Sequence, residues 1–401
     1  MKKRAGFGKT PRSMVVWAFG VLWAMTAGAA NVYYVDANLG DDVNDGLAPG
    51  KGHAMKSLAK VLSTAKTDGD VVHAARGRYD DQVQTDTAVG SAVPARGIVR
   101  SGVTLIADEG PDVTFIVGKG PDEVEDTVTY TIDGVETTRT IGNGGVRCLE
   151  VCWKGRVVGF TITGGTARGL ATAGDANTMG AGVYGYGHVE DCVISNNAAR
   201  AGGAATGSMA FLNCRFYDNC AVLEAAALNS CLACNCFFDR NCVNTAGRRI
   251  TSGTQPLLNC TFGPNNVLGP NNIGGSLTYL TSADCMVYNC VFLGTTDGHC
   301  GTVYNSAFLN NKTWSKSTFG WTDCVWTNAA ALKLDANCHP KGSSKLLVDQ
   351  GKAVYDEVVK SKFPYALHPE RDLSGNARIA GKCIDIGCFE YTPTGLMMLF
   401  R

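Results

Sequence analysis

Six oxygen-bearing side chains fall close together near the N-terminus: Asp36, Asn38, Asp41, Asp42, Asn44 and Asp45. Hard oxygen ligands at that density suit Ca2+, which makes this loop the strongest metal candidate in the chain. The spacing departs from the EF-hand pattern, because Val43 takes a ligand position and no Glu closes the loop. The competing reading is an Asx-rich turn, in which the short side chains accept from nearby backbone N–H groups. The sequence demands no cofactor, and Ca2+ is the one it could accommodate.

A second group mixes charge with an aromatic ring: Arg215, Tyr217, Asp218, Asp239 and Arg240, with Glu224, Arg248 and Arg249 nearby. Such residues on one face could bind a polysaccharide, and the alternative is an ordinary solvated surface. Cleaving a sugar polymer would need paired carboxylates, or a base beside a uronate whose proton Ca2+ acidifies. The adjacent acid pairs Asp41-Asp42 and Asp80-Asp81 lie outside the repeats described below. His188, His299, His339 and His368 show no metal-ligand spacing. Cys231-Leu-Ala-Cys234 lacks the second pair that a zinc site uses. Cys148 with Cys152, or Cys383 with Cys388, could close local disulfides or remain buried thiols.

What must position these groups is an internal repeat. Asn or Asp, then Cys or Ser, then any residue, then a large apolar residue recurs at Asp191, Asn213, Asn235, Asn259, Asn289, Asn305 and Asp323. Asn often follows three positions after the apolar residue, at Asn197, Asn219, Asn241, Asn265 and Asn311, with Thr295 and Ala329 in the other two units. Three residues before each Cys or Ser the chain is again apolar, at Val189, Phe211, Ala233, Leu257, Val287, Val303 and Trp321. Successive Cys or Ser positions lie 22, 22, 24, 30, 16 and 18 residues apart. A period near 20 belongs to solenoids, whose units bury an apolar face only by stacking. Cys214 and Phe216 stand two apart, the strand period, and no stretch has the longer 3.6-residue pattern of a helical repeat. The expected fold is all-β, a right-handed parallel β-helix with a helical cap at its N-terminal end. Identical residues then stack, so the Cys column predicts parallel buried thiols, whose geometry fits disulfides poorly. Small residues before each motif (Gly180-Ala181-Gly182, Gly202-Gly203-Ala204, Ala225-Ala226-Ala227, Gly274-Gly275-Ser276) leave room for a tight corner. The Gly-Gly-Ala-aliphatic and Phe-x-x-Asn elements together resemble the repeats of the polymorphic outer-membrane protein family of autotransported adhesins, over roughly residues 158–330. No C-terminal stretch is long enough for that family's β-barrel.

The ends read differently. Lys2, Lys3, Arg4, Lys9 and Arg12, the apolar run Met14–Met25 and the small residues 26–30 predict a signal peptide over 1–30. Export to the cell surface or extracellular space follows, with no transmembrane span in the mature chain. Residues 31–80 resemble the N-terminal cap of pectate-lyase-like β-helix proteins: a strand Val32–Asp36, the acidic loop, and a helix with Met55, Leu58, Leu62 and Ala65 on one face. Repeats fill 81–340, interrupted near 119–145 by a hairpin with an Asp133-Gly134 turn. Residues 341–401 resemble the choice-of-anchor Q module of exported β-helix proteins, through Leu346, Asp349, Gly351, Asp372, Gly375, Asn376, Arg378, Asp385, Ile386, Gly387 and Glu390. That resemblance implies surface placement and no catalysis, with its polar residues an end-cap network.

Lys plus Arg and Asp plus Glu number 36 each. A net charge of zero argues against nucleic acid, which needs a basic excess. The leading expectation is a non-catalytic surface protein that binds glycan or mediates adhesion. The alternatives are a lyase or hydrolase acting on a uronate-containing polymer, and a passive stalk. A polygalacturonase-like hydrolase would carry an Arg-Ile-Lys element, which is absent, and the Gly187-His188 dipeptide stands in the reverse order to its His-Gly.

Overall fold

The structure, a computed structural model, describes residues 30–86, 90–168, 175–245, 249–253, 256–269, 278–280, 286–294, 296–298, 302–309, 320–352 and 370–393. Residues 1–29 of the expected signal peptide, Gly274 to Ser276, Arg248, Thr295, His299, Asn311, His368 and the Trp321 side chain lie outside them.

One coil reads as four short strands, Val183–Gly185, His188–Glu190, Val193–Ser195 and Ala198–Ala201. The next repeats them at Ala205–Gly207, Ala210–Leu212, Arg215–Tyr217 and Cys220–Glu224. Equivalent strands pair in parallel, Ile194 on Phe216 on Phe238. The stacks form sheets of eleven, ten, six and four strands. The first sheet runs from Val32–Val35 to Gly320–Thr322, and the second from Gly77–Tyr79 to Val325–Thr327. The third runs from Ala95–Val99 to Thr251–Ser252, and the fourth from Ala198–Ala201 to Val267–Leu268. This is a right-handed parallel β-helix, the hand that crossovers between parallel strands adopt.

Each residue of the repeat has a physical task. Asp191, Asn213, Asn235, Asn259, Asn289, Asn305 and Asp323 turn the chain from the first sheet to the second with φ between 47° and 56°. Asn and Asp tolerate that left-handed backbone better than other side chains do. The next residue needs a small buried donor. The thiols of Cys192, Cys214, Cys236, Cys260 and Cys290 donate to the carbonyl two residues back at 3.1–3.3 Å. Ser306 does the same at 2.8 Å, which explains why Ser replaces Cys there. The fifteen described cysteines are all free thiols, including Cys148, Cys152, Cys383 and Cys388. Phe216, Phe238, Phe262, Phe292, Phe308 and Trp326 then stack at 4.5–4.9 Å through the core.

At the corner between second and fourth sheets the amides of Asn197, Asn219, Asn241 and Asn266 form a buried ladder. The repeat pointed to Asn265. One extra residue in this turn instead brings Asn266 into the column, and Asn265 bonds Asp239.

The helix α1 (Leu58–Thr64), capped by Ser57 accepting from Lys60 N, buries Leu58, Ala59, Val61 and Leu62. It joins Met55, Val72, Val99 and Leu149 in the core and closes the N-terminal end. Without it the first coil would expose its apolar interior.

Candidate functional site

The acidic loop is organised around backbone amides. Asp36 accepts from Asn38 N and Leu39 N at 2.9 and 3.0 Å. Asp42 accepts from Lys56 N, Ser57 N and Ser57 Oγ at 2.7–2.9 Å, anchoring the start of α1. Asp41 and Asp45 accept from Val43 N and Leu47 N, while Asn38 and Asn44 donate to carbonyls of Arg76 and Ala54. In this arrangement Asp36, Asp41 and Asp45 form a set of Asx turns. The loop's N–H groups need acceptors, and these short carboxylates supply them. Among the described residues no three His, Cys, Asp or Glu side chains are placed to share a metal ion.

Two other segments of the chain contact the expected binding group. Arg215 donates to the Leu373 carbonyl at 2.5 Å. The Phe237 ring meets Phe389 at 5.5 Å and Tyr217 at 5.7 Å. Burial pushes the Tyr217 phenol up to about 12 and raises Asp239, which accepts from Asn265 N and Nδ2. Residues 370–390 thus lie along the outer face of the second sheet, where Leu373, Ile386, Cys388 and Phe389 pack on Phe237, Val291, Leu293 and Ala307. The described part of this segment packs on a side of the coil. Within it Asp372 accepts four hydrogen bonds from Ser374, Asn376 and Glu390, and Arg378 pairs with Glu390 at 2.9 Å.

Asp218 and Arg240 belong to a different contact. Arg240 bridges Asp218 at 3.0 Å and Asp133 at 2.7 Å. Asp133 and Gly134 form the turn of the expected hairpin, Glu123–Ile132 with Val135–Asn143. Its residues Val128, Tyr130, Ile132 and Ile141 lie on Ala198, Cys220, Val222 and Cys242 of the fourth sheet. Fully buried Arg147 ties other segments to the third sheet. It donates to Gly180, Ala176 and Met179 carbonyls and to Ser91, and pairs with Glu150 at 2.6 Å.

The outer face of the first sheet carries a different series. Tyr34 stacks on His73, whose Nδ1 is 2.6 Å from Asp108. Further along, Arg156 pairs with Glu190 through Nε at 2.8 Å and Nη2 at 2.5 Å. A buried apolar strip of Leu232, Cys234 and Leu258 follows and ends at Tyr288. There a cleft of about 300 Å3 opens, lined by Tyr288, Asn289, Tyr304, Asn305, Thr322, Asp323 and Lys352. The Tyr288 and Tyr304 rings stack at 5.0 Å and 20°. Tyr288 is 5% exposed, and Tyr304, at 37%, presents its ring to solvent. The amides beneath are committed to the fold. Asn305 donates to Asn289 Oδ1 and Gln350 O, and Asn289 to Asn259 Oδ1 and Lys352 O. Asp323 and Lys352 form an ion pair at the rim. A ring platform flanked by phenol, hydroxyl and charged groups matches a ligand with one apolar face and polar edges. The sequence held a signal for it. Val287-Tyr288-Asn289-Cys290 and Val303-Tyr304-Asn305-Ser306 place Tyr at the one outward position between inward Val and the corner Asn.

No family model matches the chain, and no curated protein matches it. Among solved structures it is similar to pectate lyase Pel9A, at 11% identity and TM-score 0.44 over 92% of this chain and 98% of that one. It is also similar to a rhamnogalacturonan lyase, at 14% identity and TM-score 0.29 over 71% and 69%. The third is a GH136 lacto-N-biosidase from Eubacterium ramulus, at 10% identity and TM-score 0.29 over 74% and 55%. Likeness at this level is one of chain path and assigns no residue a role.

Proposed function

We propose that this chain is an exported β-helix protein that binds carbohydrate, without cleaving it, on the outer face of its first sheet. The observation that carries this reading is the exposed Tyr304 ring stacked on Tyr288 over a polar-rimmed cleft. Sugar rings have C–H faces that lie on aromatic rings and hydroxyl edges that seek polar groups, and the cleft offers both. Three carboxylates on this face are each held by a partner: Asp108 by the His73 ring, Glu190 by Arg156 and Asp323 by Lys352. A general acid or base must instead be poised to exchange a proton with substrate. The basic and apolar N-terminal run supports export.

The test is electrophoretic retardation of purified protein in gels containing neutral or uronate polysaccharides, with and without Ca2+, alongside assays for new reducing ends and unsaturated products. Retardation by at least one polymer is expected. Tyr304→Ala should weaken it about tenfold, or ~1.4 kcal/mol, with thermal unfolding unchanged. Cleavage products would overturn the non-catalytic reading, and no retardation by any polymer would overturn carbohydrate binding.

A further inference from the structure

Single exposed apolar side chains are ordinary, so what matters is whether exposed aromatic rings recur along one face of the scaffold. Among the described residues three are exposed: Trp153 at 64%, Tyr186 at 42% and Tyr304. Tyr304 lies on the first sheet. Trp153 and Tyr186 occupy the corners that lead into that sheet in successive coils, just before Arg156–Val158 and His188–Glu190. The two corners are clasped together, Tyr186 N donating to Val151 O at 2.9 Å and His188 N to Gly155 O at 2.8 Å. Gly187 makes the approach possible, since a Cβ there would sit 2.3 Å from the Gly155 carbonyl oxygen. Both rings are thereby held on a rigid part of the scaffold.

From His188–Glu190 to Thr302–Tyr304 the first sheet makes five parallel steps. At a strand spacing of about 4.8 Å the aromatic corner and the Tyr304 cleft are ~24 Å apart along the axis. A single sugar cannot touch both, whereas an extended chain can. Charge narrows the class of polymer. The strand and rim cations Arg156 and Lys352 are already paired with Glu190 and Asp323. Among the described residues Lys154, exposed beside Trp153, adds one cation to a path where each uronate carboxylate taken from water would need a partner.

We infer that the ligand is a neutral, linear glycan lying along the helix axis, with the Trp153–Tyr186 corner as a second subsite beyond the Tyr304 cleft. This rests on the carbohydrate-binding reading above and extends it to polymer class and footprint. The experiment is titration calorimetry with cello-, xylo- and manno-oligosaccharides from dimer to octamer, against oligogalacturonates of the same lengths. Wild type, Trp153→Ala, Trp153→Phe and Tyr304→Ala are compared after their melting temperatures are shown to match. Affinity for one neutral series should rise with length. Trp153→Ala should weaken the longest oligomers about tenfold and leave the dimer unchanged, Trp153→Phe should restore most of the loss, and Tyr304→Ala should weaken every length. If Trp153→Ala binds long oligomers like wild type while Tyr304→Ala does not, the second subsite is wrong and the cleft stands. Preference for oligogalacturonates would overturn the neutral assignment. Absence of any binding would overturn both readings.

Discussion

The side-chain amide of Asn241 donates to the side-chain oxygen of Asn266 at 3.1 Å and to the Phe216 carbonyl at 3.0 Å. Its own oxygen accepts from Asn219 N and Nδ2 at 3.2 and 3.0 Å. The group is fully buried, so removing it strands partners on the coils either side. Asn241→Ala is expected to lower the unfolding free energy by about 3 kcal/mol or more, and Asn265→Ala by less. Denaturant unfolding of both variants measures this, and equal losses would contradict the ladder.

Phe238 lies between Phe216 at 4.7 Å and Phe262 at 4.5 Å, with no exposed surface. Phe238→Ala should cost about 3–5 kcal/mol, the range for emptying a packed aromatic site. Trp326→Ala should cost less, because Trp326 is partly exposed. A loss below about 1 kcal/mol for Phe238→Ala would show that the column does not carry the core.

Thiol reactivity provides a separate check. Burial pushes the Cys148 and Cys231 thiols up to about 12 and Cys324 to about 11, and raises Cys383, which is only half-buried. Because the thiolate is the reacting form, among the described cysteines native protein at neutral pH should alkylate at Cys383 first and Cys324 next. The core column should remain unlabelled until unfolding. Peptide mass mapping reads the order, and early labelling of Cys236 or Cys260 would contradict their burial.

Glu390 gives a pH dependence. Burial raises its carboxyl to about 8 from an unfolded value of 4.5, with Arg378 opposing the shift. Since the folded value is the higher, protonation favours the folded state. That contribution is complete below about 4.5 and is lost as pH rises through about 8. The stability of wild type relative to Glu390→Gln should therefore fall between pH 5 and 9. A difference that grows over this range would reverse the sign. Fluorescence-monitored unfolding at several pH values measures it.

The coil architecture was legible because every repeated residue meets its own kind. Asn or Asp at a left-handed corner, a small donor after it, and an aromatic ring two further on each leave a mark at fixed spacing. The hairpin was legible from Asp133-Gly134, whose positive φ values suit a two-residue turn. Surface assignment was not. Arg215-Phe216-Tyr217 and Met286-Val287-Tyr288 share the same alternation, and nothing local says that residues 370–390 cover the first. The coverage is decided by contacts such as Arg215 with Leu373, between residues far apart in the chain. The role of the acidic loop as an anchor was hidden for a related reason. Composition does not say which backbone amides its carboxylates accept from, and Asp42 reaches Ser57, fifteen residues on.

Because coils add end to end, the strands between Trp153 and Tyr304 act as a ruler graduated in whole turns. Duplicating the Ala205–Ala227 turn would carry the two aromatic sites about 4.8 Å further apart while leaving each intact. A lineage could thus retune the length of chain it grips by gaining or losing a repeat, without altering a single contact residue.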